Sequence, residues 1–158
     1  MADKRDQIMS AFVAGMKNIL EENGYNSDLG ANVFEWRPKI IDPSGSGYVP
    51  TEQDELPALH VRDPLDKAVT IEQDGSEDHE LTLELEIAHE GGAAGAAMRG
   101  QIADVRKAIG VDVTWGGLAS DTSREMTAET IRVQADRTFF RTLIRTKITY
   151  TTSEYAES

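Results

Sequence analysis

The chain contains no cysteine, which removes disulfide cross-links, thiolate nucleophiles and cysteine metal ligands. Basic residues are scarce: 16 Lys and Arg stand against 28 Asp and Glu, a net charge of −12. A generic nucleic-acid binder needs the opposite balance, because its basic side chains must displace the counterions of the phosphate backbone. No stretch reaches the roughly 20 apolar residues of a membrane span. The opening residues MADKRDQIMS carry no apolar signal core. These absences predict a soluble protein made in a cytoplasm, with no membrane contact.

What is present suits one folded body. A length of 158 residues fits a single domain with one core, and the 39% hydrophobic content falls in periodic blocks. Charge is distributed unevenly. Residues 50–90 hold 13 Asp and Glu against two Lys and Arg, whereas residues 91–152 hold six against nine. An acidic middle thus precedes a mildly basic C-terminal half. On a monomer this is ordinary solubility; in an oligomer it supplies two complementary faces.

The spacing of Ile8, Met9, Phe12, Val13, Met16, Ile19 and Leu20 predicts an amphipathic helix over residues 4–23, N-capped by Asp3 and ended at Asn23-Gly24. Short strands are predicted at residues 31–37, stopped by Pro38, and at 56–62, where Leu59 and Val61 share a side. Between them, residues 42–55 form a long loop rich in Gly, Pro and acids, suited either to a plain flexible loop or to an arm that orders against a partner. Residues 72–80 (EQDGSEDHE) read as a polar turn. In residues 81–88, Leu81, Leu83, Leu85 and Ile87 alternate with Thr82, Glu84 and Glu86, which predicts a strand with one buried face and one wet, acidic face. A second helix over 93–109 carries Ala94, Met98, Ile102, Val105 and Ile109 inward and ends at Gly110. Residues 111–119, with Trp115-Gly116-Gly117, make a strand end or turn. Strands follow at 129–135, with Ile131, Val133 and Ala135 inward, and at 140–152. The last has Phe140, Ile144, Ile148 and Tyr150 on one side and Arg141, Leu143, Arg145, Lys147 and Thr149 on the other. Residues 153–158 read as a frayed tail. The expected architecture is α+β: a single mixed, mainly antiparallel sheet packed with two main helices.

A search for chemistry yields no catalytic, cofactor-binding or metal site. His60, His79 and His89 lack metal-ligand spacing, and His89-Glu90-Gly-Gly does not continue as a zinc-protease helix. Neither a nucleophile elbow nor a phosphate-binding glycine loop is present. Glu84 and Glu86 resemble paired carboxylates, but simple alternation on a solvated face accounts for them. Two features exceed this background. One is the basic row Arg141, Arg145, Lys147, with Arg132 and Arg137 near it, which either blunts a sheet edge or mates with an acidic face. The other is the turn around Trp115, whose glycines either seat the ring in the core or present it.

The order of segments resembles the tail-terminator, or tail-completion, proteins of long-tailed bacteriophages. The resemblance runs over residues 5–152: an opening helix ending in NGYNSDLG (23–30), a strand, LPAL (56–59), the alternating strand, an Ala-rich helix, TWGGLA (114–119), and the final KITYTT (147–152). It implies a non-enzymatic virion protein that forms a ring, typically of six subunits, at the head-proximal end of the tail. Such a ring caps the tail tube, stops its polymerisation and docks the head connector, while genome DNA passes through the lumen without specific binding. On this reading the tube protein and the connector proteins are the partners, and no cofactor is needed. The candidate subunit or tube interface comprises Arg141, Arg145, Lys147, Glu84, Glu86, Tyr48 and Trp115. Rival readings are a head-tail connector or stopper, the tail tube protein itself, or a cytoplasmic ligand-binding domain.

Overall fold

A computed structural model describes residues 3–36, 56–90, 94–123, 125–134 and 138–152. It is an α+β fold: two helices pack with a six-stranded, mainly antiparallel sheet.

Helix α1 (Lys4–Lys17) starts where expected. The Asp3 side chain accepts the Asp6 N–H, and Ile8, Met9, Phe12 and Met16 are buried. It ends six residues before the expected stop at Asn23. The chain turns there because Gly30 comes back against it: the Gly30 N–H donates to the Ile19 carbonyl at 2.8 Å. A Cβ on Gly30 would lie 2.5 Å from the Lys17 carbonyl oxygen. Residues Glu21–Asn23 form a separate 3-10 turn closed by Gly24, whose φ of 87° is the left-handed conformation foreseen for a cap. Ile19 remains in the core although it has left the helix.

Strand β1 (Val33–Glu35) runs parallel to the start of β2 (Ala58–Ile71), which pairs antiparallel with β3 (Glu77–Glu90). Both long strands exceed their expected lengths, and the expected nine-residue acidic turn shrinks to a tight one, in which the Gly75 N–H donates to the Glu72 carbonyl. Polar residues that read as loop are strand, because pairing to a neighbour overrides weak local preference. Helix α2 (Ala94–Val111) follows and passes through Gly110 rather than ending there. After it, β4 (Asp121–Thr122) and β5 (Thr127–Gln134) lie along one edge of β6 (Thr138–Thr152), whose other edge pairs with β3. The strand order is therefore β1-β2-β3-β6, with β4 and β5 both on the far side of β6.

One core joins these elements. Leu81, Leu83, Leu85 and Ile87 of β3, Leu59 and Val61 of β2, and Ile144, Ile148 and Tyr150 of β6 meet α1 and the Val105, Ala108 and Ile109 face of α2. The expected parities of β2, β3 and β6 all hold. The side chains of Ala94, Ile131 and Val133, together with Ala135, the loop at 42–55 and the tail at 153–158, lie outside the described residues.

Candidate interaction surface

The antiparallel register decides the fate of the charged side chains. It sets Glu84 between Arg62 and Arg145, and places Glu86 one step along from Glu84. Diagonal neighbours on adjacent strands lie within reach of long side chains. Arg62 Nη2 donates to Glu86 Oε1 at 3.1 Å, Arg141 Nε donates to Glu86 Oε2, and Arg62 Nη1 lies 3.6 Å from Glu84 Oε1. Glu86 is wholly buried and Arg62 is 4% exposed. On the same sheet face Phe34 of β1 stacks on buried His60, with ring centroids 5.6 Å apart.

This corrects the expectation of a wet, acidic face on β3. Alternation fixes which side a residue takes, but not whether that side is covered. The acidic row of β3 and the basic row of β6 do mate, and they do so inside one chain. Glu86 and Arg141 are held in an intrachain network, and Glu84 is drawn into it. Farther along the strands the pairing reaches solvent. Lys147 Nζ meets Glu80 Oε1 at 3.0 Å with both side chains accessible, and Arg145 is exposed. Arg145 and Lys147 line a shallow hollow of about 250 Å³ with Thr82, Ser123, Glu125, Thr127 and Thr146.

Trp115 is a core residue, not a presented one. Its ring lies 4.8 Å from that of Phe12, and its Nε1–H donates to Thr122 Oγ1 at 2.8 Å. Thr122 in turn donates to the Val113 carbonyl at 2.7 Å. The backbone of Trp115, Gly116 and Gly117 takes positive φ throughout. Asp112 holds that turn, accepting from the Thr114 hydroxyl and the Gly116 N–H. These bonds keep its carboxyl below the usual carboxylate range. Tyr48, Arg137 and the Arg132 side chain lie outside the described residues.

A second polar cluster, with no signal in the sequence, lies at the start of α1. Arg5 donates to the Asp63 carboxylate at 2.8 Å and to the Asp63 carbonyl at 2.7 Å. Asp66 receives the Tyr150 hydroxyl and meets His79 Nδ1 at 2.8 Å, while His79 Nε2 faces Glu77 and Thr152. Burial and the bond to Asp66 push the Tyr150 phenol above its ordinary range. An open cleft of about 370 Å³ lies over these groups. His79 has neighbours at both ring nitrogens, and the cluster ties α1 to β2, β3 and β6. No local motif announces it, because its members come from four elements.

Also unforeseen is an exposed apolar run on β2: Leu65 is 54% exposed, Val69 43% and Ile71 70%. These residues lie between the strand expected at 56–62 and the turn expected at 72–80, in a stretch to which the sequence pattern assigns no element. Among the described residues no group of His, Asp and Glu gathers as metal ligands. No helix is long and apolar enough to cross a membrane. No protein-family model matches the chain, and no curated protein matches it in sequence.

Proposed function

We propose that the chain is a structural, non-catalytic subunit of a phage tail terminator. Copies join head to tail into a ring that caps the tail tube, arrests tube growth and offers the surface on which the head connector docks. The lumen passes DNA without binding it specifically.

The observation that carries the reading is the presence of two unlike surfaces at opposite sides of one sheet. A head-to-tail ring needs two different faces per subunit, since each contact joins one face to the other and the rotation must close. On one side is the β2–β3 hairpin, acidic and bearing exposed Leu65, Val69 and Ile71. On the other are β5 and the exposed Arg145 and Lys147 of β6. The order of segments along the chain, which resembles terminator proteins, supports the same assignment. The interface moves accordingly: Arg145 and Lys147 stay in it, whereas Glu86, Arg141 and Trp115 serve the fold.

Light scattering on the purified protein, alone and mixed with tube protein, tests the proposal. A discrete ring of about six subunits, formed alone or on the tube end and halting tube elongation, is the expected result. Open-ended polymers of the chain itself would identify a tube protein instead. A monomer that leaves tube growth unaffected would overturn the reading.

A further inference from the structure

The sheet has two outer edges, and their chemistry differs. Strand β1 pairs only with Leu59, His60 and Val61 of β2. Beyond that point, among the described strands, residues 64–71 of β2 have a partner on the β3 side alone. All of them except Asp66 are exposed. At the opposite side, β5 pairs with β6 and with no other described strand, and residues 127–130 are exposed on both faces. Among the described residues each edge therefore offers backbone N–H and C=O groups to an added strand, Pro64 excepted as a donor.

Natural edges are normally guarded. Pro64, Lys67 and register shifts between Arg62 and Leu65 and between Ala68 and Thr70 guard this one against indiscriminate pairing. Three large apolar side chains among residues 65–71 point the other way, since a permanently solvated edge gains nothing from them. Charge selects the partner. Residues 58–80 hold seven Asp and Glu against two Lys and Arg, so two such hairpins repel each other. Among the described side chains of β5 and β6 the exposed charges are Glu129, Arg145 and Lys147, a balance of two basic to one acidic, so this side attracts the hairpin.

We propose that the outer edge of β2 in one copy docks against the outer edge of β5 in the next, so that the sheet continues from subunit to subunit. Leu65, Val69 and Ile71 are covered by the neighbour, and Arg145 and Lys147 flank its acidic hairpin. This rests on the ring reading and names the contact that closes it. Because the two edges are different and belong to the same chain, the contact is heterologous and needs no foreign strand.

The natural absence of cysteine makes disulfide trapping a clean test. Three double variants carry Val69→Cys with Ala128→Cys, Glu129→Cys or Thr130→Cys. Within one chain these positions are separated by three strand spacings of about 4.8 Å each. That is far beyond the ~7 Å a disulfide spans between Cα atoms, so every cross-link must join two copies. On oxidation at least one pair is expected to give a ladder ending at the mass found by light scattering for the unmodified oligomer. Val69→Cys alone gives no more dimer than a surface cysteine does. Replacing Leu65 and Ile71 by Glu, both exposed and so tolerated by the fold, raises the concentration for half-assembly about tenfold or more. A ring that forms while none of the three pairs cross-links overturns the edge contact and leaves the ring reading standing. Efficient dimerisation through Val69→Cys alone overturns it in favour of β2 meeting β2. A protein that never oligomerises, with or without tube, overturns both.

Discussion

Replacing Glu86 by Ala removes a wholly buried carboxylate that two arginines share. Among the described residues Arg62, 4% exposed, then keeps only the 3.6 Å approach of Glu84, whose side chain is itself 20% exposed. Leaving a buried charge without its partner costs about 3–5 kcal/mol. For a domain of this length each kcal/mol shifts the melting temperature by about 2–4 °C, so Glu86→Ala lowers it by about 6–20 °C. Urea denaturation followed by circular dichroism measures the loss directly, with the slope against denaturant checking that the unfolded state has not changed. Removing the whole triad with Arg62→Met, Glu86→Leu and Arg141→Leu also removes the desolvation cost of three charges. The triple variant is therefore within about 1 kcal/mol of the wild type or more stable. A Glu86→Ala loss below about 1 kcal/mol would refute the account, because it would mean that Arg62 is satisfied without Glu86. A triple variant as unstable as the single one would show that packing, not charge pairing, sets the cost.

Thr122→Val strips the Trp115 Nε1–H of its acceptor and the Val113 carbonyl of its donor; a loss of about 2 kcal/mol is expected, read by urea denaturation and by a shift in tryptophan emission. Gly30→Ala drives a Cβ into the Lys17 carbonyl; it should cost about 1–3 kcal/mol, and an unchanged melting temperature would show that the α1 C-terminus moves aside freely. Burial holds the His89 imidazole below its ordinary value of 6.5. The unfolded chain thus binds this proton more readily than the folded one. The His89 contribution is intact above about pH 6.5, stability falls as pH drops through the interval down to the folded-state value, and His89→Gln flattens that slope. NMR titration of the His89 ring checks the direction.

Local patterns in the chain mark most of the elements and the side each one buries. Period-two alternation of Leu81, Leu83, Leu85 and Ile87 marked β3 and its buried side; Asp3 marked the start of α1, and the order helix, strands, helix, strands pointed to the α+β class. Such signals are local, because a strand or helix must bury one face whatever it later packs against. The end of α1 was not legible, since it is set by Gly30 returning from 13 residues downstream of Lys17. Nor was the length of the β2–β3 hairpin, whose polar residues become strand because most of them have a partner across the ladder. The candidate surface divided in the same way. The sequence marked Glu84, Glu86, Arg141, Arg145 and Lys147 as charged rows on two strands. That β3 and β6 are neighbours, in a register that joins Glu86 to Arg62 and Arg141 within one chain and leaves Arg145 and Lys147 at the surface, comes from strand pairing alone. Charge can be counted along a chain, but whether a charge is spent inside or presented outside depends on which strand lies beside it.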